Sequence, residues 1–366
     1  MIKKHRTVYK WLVLMVVLGM VLAGTVGCGG QSGQSPAPQQ STVSEGAEGR
    51  EGQNPQQQQE ASSTQEEGKL VTLGIIQFVA HPSLDAAREG FLDALKANGY
   101  EEGKNLKVVH KDAQADMSIA QSIAQQFAQD EPDLILAIAT PTAQAMANAT
   151  KEIPILITAV TDPVSAGLVA SMENPGGNVT GTSDYVSIAA QLDLMRQIVP
   201  GAVNIGLIYN SGEQNSIVQA DEVKKYAADN GLNVVEATPT NSSEVLQAAQ
   251  SLVGKVDAIY VPTDNTVVSA LEAVVKVSYD NKIPMFPGEG DSVARGGVAT
   301  AGVDYYKLGQ QTGEKALQIL NGTAPADIPV ETQKDMSVIV NLKAAQEVGI
   351  EVPQAVLDQA IEVIQE

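Results

Sequence analysis

From Lys69 onward the sequence predicts an α/β protein of two similar lobes, each a parallel sheet with helices on both faces. Three observations carry that expectation. Short apolar runs alternate with longer segments of helical period, and the connections between them are short. The alternation pauses at Ser183-Asp184-Tyr185 and then restarts. Finally, the stretch from Asp133 to Thr142, a helix and Ile153-Pro154-Ile155 are echoed by Asp257 to Asn265, a helix and Ile283-Pro284-Met285. The helices differ in length, so this is a repeated βαβ unit rather than an exact copy.

The chain opens with Lys3, Lys4, Arg6 and Lys10, followed by an uncharged run from Trp11 to Val26 that closes on Gly27-Cys28. Basic residues, then an apolar core, then small residues is the order of a secretory signal. About sixteen apolar residues are few for a hydrocarbon core roughly 30 Å thick. Cys28 is the single cysteine, and a thiol is the nucleophile that accepts a diacylglyceryl group. The segment resembles a lipoprotein signal, with Thr25 where such signals usually carry Leu. Residues 1–27 are therefore expected to be the signal, and Cys28 the lipidation site that tethers the protein to a membrane outside the cytoplasm. With no other cysteine there is no disulfide, so the fold rests on its hydrophobic core.

Residues 28–68 read as a disordered tether. They are rich in Gln, Ser, Gly, Pro and Glu and almost lack large apolar side chains. Random-coil scaling gives the tether a reach of about 35 Å. Loss of the four basic residues of the signal takes the formal charge from −20 to −24. So acidic a surface repels phosphate backbones and anionic headgroups, which argues against nucleic acid and against a basic membrane patch. Trp11, the only tryptophan, leaves with the signal, which lowers the case for a sugar-stacking site.

Val71 to Ile76 reads as a buried strand, and Pro82 opens a helix with apolar residues at Leu84, Ala87, Phe91, Leu92 and Leu95 that ends at Asn98-Gly99. A strand follows near Leu106 to Val109, a helix over Met117 to Gln129, and a strand over Leu134 to Ala139. A helix over Pro141 to Ala149 and a strand over Ile155 to Ile157 complete the first run. The second run places strands near Ile205 to Tyr209, Asn233 to Val235, Ala258 to Val261 and Met285-Phe286. Its helices begin near Gln214, Ser243 and Asn265.

Ligands of open α/β sheets bind beyond the carboxyl ends of strands, where helix N-termini point. In this chain those places are unusually polar: Gln77, Phe78 and His81 after the first strand, Thr140 and Thr142 with Thr140 expected as N-cap, and Asp162. Asp184 and Tyr185 follow, then Asn210, Asn215 and Ser216, then Asp264 and Asn265, and finally Asp304. Helix-start groups around Thr140, Thr142, Asn215 and Ser216 suit a small anion such as a carboxylate. Asp162, Asp184, Asp264 and Asp304 suit an ammonium or hydroxyls. Any one of these residues is as readily a cap or a turn; the recurrence in both runs is what points to a site. No metal-ligand spacing, phosphate loop, dinucleotide fingerprint or nucleophile elbow is present, so no cofactor, metal or enzyme activity is expected.

Several stretches together resemble one family: His81-Pro82-Ser83-Leu84-Asp85, Ala139 to Ala145, Thr161 to Leu168, Pro175 to Gly181, Tyr209-Asn210, Pro262 to Asn265 and Gly302 to Tyr306. The chain resembles ABC-transporter substrate-binding lipoproteins of the tryptophan/tyrosine-binding type over everything from Lys69 onward. The resemblance implies a type I periplasmic-binding-protein fold, two Rossmann-like lobes joined by three crossovers. On it, residues 69–183 and 305–323 form lobe 1, and residues 184–304 and 324–366 form lobe 2. It also implies a monomer that takes a small molecule, an amino acid, into the cleft and delivers it to an ABC permease and its ATPase subunit. The alternative is a ligand-sensing lipoprotein that presents its bound state to a membrane receptor. For an amino acid, Asp162 or Asp304 would meet the ammonium, and Phe78, Tyr185 or Tyr305 would flank the side chain.

Overall fold

The computed structural model describes residues 70–333 and 336–365. The expected signal, Cys28 and the tether lie outside the described residues. The first run is β1 (Val71–Gln77), α1 (Pro82–Ala97), β2 (Leu106–Asp112), α2 (Met117–Asp130), β3 (Leu134–Ile138), α3 (Thr140–Ala149), β4 (Ile155–Val160) and β5 (Val179–Ser183). The second begins with α4 (Ile188–Ile198), β6 (Asn204–Ile208), α5 (Gln214–Asn230), β7 (Asn233–Ala237), α6 (Val245–Leu252) and β8 (Ala258–Val261). It continues with α7 (Asn265–Ser269), α8 (Leu271–Asn281), β9 (Met285–Pro287), α9 (Gly290–Ala294) and β10 (Ala299–Gly302). The chain then runs through α10 (Tyr305–Leu320), β11 (Glu331–Thr332), β12 (Ser337–Asn341), α11 (Leu342–Val348), α12 (Gln354–Leu357) and β13 (Glu362–Ile364).

Lobe 1 is a six-stranded parallel sheet in the order β11-β5-β4-β3-β1-β2. β3 and β4 are buried along their whole length, as strands covered by helices on both faces must be. Lobe 2 holds a four-stranded parallel sheet, β7-β6-β8-β9, and a three-stranded sheet, β10-β12-β13. The β10–β12 pair is antiparallel, and Val298 N–H donates to Met285 O at 2.8 Å to link the smaller sheet to β9.

The sequence reading needs two corrections. Residues 324–332 belong with lobe 1, because Glu331 and Thr332 pair with Thr182 and Ser183, and Thr180 Oγ1 donates to Ile328 O at 2.6 Å. The last crossover therefore falls after Thr332. Thr140 is the first residue of α3, not its cap. The cap is Ala139, held at φ +81°, a left-handed backbone that L side chains rarely adopt.

α1 and α10 set the geometry of the cleft. Leu84, Ala87, Phe91 and Leu95 line the buried face of α1, and each large apolar side chain contributes roughly 1.5–3 kcal/mol. The two helices touch backbone to backbone. A Cβ at Gly309 would fall 2.0 Å from Ala87 O, and one at Gly90 would fall 2.0 Å from Tyr306 O. That close packing fixes the N-terminus of α1, with His81 and Ser83, beside the N-terminus of α10, with Tyr305.

Candidate ligand-binding site

A constricted cavity, with only about 10 Å³ of accessible space, lies at the carboxyl ends of strands from both lobes. His81, Ser83 and Leu84 at the start of α1 bound it, with Ala159 on β4, Asp184 after β5 and Tyr305 on α10. From lobe 2 come Thr263, Asp264 and Asn265 after β8, Val268 on α7, and Glu289 ahead of α9. In this conformation it admits no more than about one water, so a larger ligand requires its walls to move apart.

Its chemistry is set by buried polar atoms with spare hydrogen-bonding capacity. Asp184 is 2% exposed; its Oδ2 accepts from Tyr305 Oη at 2.6 Å, while Oδ1 has no partner. Burial is the main cause that raises its carboxyl above the usual range, and the Tyr305 and Thr161 hydroxyls partly oppose it. His81 is buried with both ring nitrogens unpartnered. Burial lowers its value to about 4 against a smaller opposing effect of Asn265, so at neutral pH the ring offers one donor and one acceptor. The Ser83 and Thr140 hydroxyls and Asn215 Oδ1 are likewise buried and unpartnered. Buried polar groups are almost always hydrogen-bonded in native proteins, so the unpartnered atoms of Asp184 and His81, which share one lining, mark a candidate binding site.

Behind this wall stands a rigid acidic network. Glu213, at the start of α5, accepts from Asn265 Nδ2 at 2.6 Å, Thr266 Oγ1 at 2.7 Å and Thr266 N at 3.0 Å. Asp264 caps α7 through Val267 N and takes Asn210 N and Ser216 Oγ on its other oxygen, both at 2.6 Å. Burial and then the Glu213 charge push Asp264 up to about 7. Glu289 caps α9 through Ser292 N, and burial raises its carboxyl too. Three carboxylates thus line the cavity, and none of its lining residues is Lys or Arg. Among the described residues no group of three His, Cys, Asp or Glu side chains is arranged to hold a metal ion. Across the cleft, Gln219 Nε2 donates to Thr161 Oγ1 at 3.3 Å, and the Thr161 and Thr263 hydroxyls lie 3.5 Å apart.

Of the residues singled out from sequence, His81, Asp184, Asp264 and Asn265 line the cavity. Thr140 and Asn215 each keep a buried free polar atom, and Asn210 and Ser216 hold Asp264 from behind. The others are engaged elsewhere. Gln77 bonds Val79 O and Asp85, and Phe78 packs in the lobe 1 core. Thr142 Oγ1 donates to Ile138 O at 2.6 Å. Asp162 closes its own turn onto Val164 N and Ser165 N. Tyr185 is 40% exposed and donates to Glu222. Asp304 caps α10 and pairs with Lys307 at 3.0 Å. Sequence reading passed over Ser83, Glu213, Gln219 and Glu289. Glu289 had a usable signal, since it follows a buried strand, β9, much as Asp264 follows β8.

A family model described as ABC transporter substrate binding protein matches residues 72–364. A tyrosine-binding protein of Clostridioides difficile (strain R20291) is 52% identical over 273 residues, 75% of this chain and 79% of that protein. A solved domain from Streptococcus pneumonia in complex with L-Trp is 38% identical, with a TM-score of 0.78 over 80% of this chain and 99% of its own. A ligand-free, open substrate-binding protein with adhesive properties from Clostridium difficile is 49% identical, covering 81% of this chain and 100% of its own, yet its TM-score is 0.62. The less identical L-Trp complex thus superposes on this chain better than the open form does.

Proposed function

We propose a function for a chain that belongs to the ABC transporter substrate-binding protein family, a family of extracytoplasmic binding proteins rather than enzymes: it captures a free aromatic amino acid between its lobes and delivers it to a permease. The observation that carries the reading is the cavity itself, where a buried carboxylate oxygen, Asp184 Oδ1, stands free in the same lining as the unpartnered His81 ring. An α-amino acid supplies an ammonium for the first and a carboxylate for the second. Leu84, Val268 and the Tyr305 ring offer apolar wall for a side chain. The tyrosine-binding relative and the L-Trp complex favour an aromatic one.

A thermal-shift panel of amino acids, nucleosides and sugars, run on protein stripped by unfolding and refolding, tests the assignment. A ligand at 100 times its Kd adds about 2.7 kcal/mol of stability. Shifts confined to tyrosine, tryptophan or phenylalanine are expected. A response to sugars or nucleosides alone would discard the amino acid.

Cys28, after its basic and apolar leader, makes lipid attachment part of the same reading. Cys28→Ser should abolish labelling by a radioactive fatty acid and move the protein out of the membrane fraction. Labelling that persists in the variant would place the anchor elsewhere.

A further inference from the structure

Resting on the amino-acid reading, we infer that the ammonium group is the obligatory feature of the ligand, and that arylalkyl amines lacking a carboxylate occupy the same cavity. The argument is one of charge balance. Asp184, Asp264 and Glu289 bring carboxylates to the wall, and no lining side chain brings a cation. Both oxygens of Asp264 are taken, by Val267 N on one side and by Asn210 N and Ser216 Oγ on the other. Glu289 is occupied by Ser292 N. Asp184 Oδ1 is the free carboxylate oxygen, in a residue 2% exposed. A ligand ammonium meets it as a charge-assisted hydrogen bond in a site shielded from water.

For a ligand carboxylate the lining offers the N–H of an uncharged His81 ring and the Ser83 hydroxyl, the latter shared with Glu289 and Asp291. Arg295, whose field reaches His81 and Asp291, lies outside the lining; its Nε and Nη2 bind Glu272 at 2.9 and 3.0 Å, and its buried Nη1 has no partner. Each such bond to a carboxylate is charge-assisted on one side only, against two charges in the ammonium–Asp184 pair, so the ligand carboxylate contributes less than the ammonium. Loss of the ammonium is different in kind. It leaves Asp184 without its counter-charge and sets an anion beside three carboxylates.

Isothermal titration of the protein with L-tyrosine, tyramine and 3-(4-hydroxyphenyl)propionate tests this, with L-tryptophan, tryptamine and indole-3-propionate as the parallel series. Tyramine or tryptamine should bind measurably and displace its amino acid competitively. The propionate should bind at least about a hundredfold more weakly than the amine. Propionate binding as tight as that of the amine overturns the inference, and so does an amino acid that binds while its amine does not. Amine binding with no amino acid binding supports the inference and overturns the amino-acid reading. Silence from all six compounds overturns both.

Discussion

Glu213→Ala should destabilise the protein by about 3 kcal/mol, a fall of roughly 6–12 °C in Tm for a lobe of this size. Glu213 is 3% exposed and accepts from both Asn265 donors and from Thr266 N and Oγ1. The Thr266 hydroxyl can turn to another acceptor, but the amides at the start of α7 cannot. Each buried donor left unpaired costs about 1–3 kcal/mol. Relief of repulsion with Asp264 offsets only part of that. Glu213→Gln keeps one acceptor oxygen and removes the charge, so it should cost less and change the pH response instead. Asp264, held at about 7 by burial and by Glu213, keeps its proton better when folded than when unfolded, where the ordinary value is 3.8. Its stabilising contribution is complete below 3.8 and is lost as pH rises through about 7. The unfolded His81 ring still loses its proton through 6.5, but it does so equally in wild type and Glu213→Gln, so the difference between the two in the fall of Tm from pH 5 to 8 reads the carboxyl groups. Glu213→Gln should flatten that fall. Wild-type melting temperatures for Glu213→Ala would remove the network from the account of stability.

The two-lobe architecture was legible because strand–helix alternation is written in apolar periodicity, and α1, α3 and α5 begin within a residue of their expected starts. β11 was not legible. Two residues, Glu331 and Thr332, carry no pattern, and they form a strand only because Thr182 and Ser183 offer an edge to pair with. The lobe boundary moved for that reason alone.

Site residues divide on a finer question, namely whether the local backbone uses up a side chain before a ligand can. Asp162, Asp184 and Asp304 all follow strand ends and look alike in sequence. Asp162 turns back onto Val164 N and Ser165 N, and Asp304 onto Lys307 N. At Asp184 the nearby Tyr185 N–H goes to Ser183 Oγ instead, which leaves the aspartate oxygen to the cavity. Thr140 and Thr142 separate in the same way. Thr142 Oγ1 is spent on Ile138 O and Ala139 O, whereas Thr140, one residue past the strained Ala139, has no carbonyl within reach. Motif spacing finds the loop; hydrogen-bond accounting finds the residue.

Asp184→Asn should weaken binding of the aromatic amino acid by about 2–5 kcal/mol, or roughly thirtyfold to several thousandfold. The amide oxygen of the variant can still accept from Tyr305 Oη, so the fold keeps its contact between β5 and α10. The side toward the cavity then carries an NH₂ donor where the ammonium requires an acceptor. The same residue sets a pH dependence. Burial holds the free Asp184 carboxyl above its ordinary value, and the groups that share or face its cavity are Tyr305, Glu289, Asp264 and His81, with Asp291 close behind. The carboxylates among them disfavour another negative charge, while an incoming ammonium favours it. Binding therefore lowers the Asp184 value and releases protons wherever the free protein holds this one. Affinity should fall as pH drops through the raised value, because an increasing share of the protein must first lose that proton. Titration calorimetry in two buffers of different ionisation enthalpy measures the release directly. The wild type should release protons to buffer, and Asp184→Asn should release fewer. Equal release by the two proteins, or an affinity for the amino acid unchanged by the substitution, would take Asp184 out of the site.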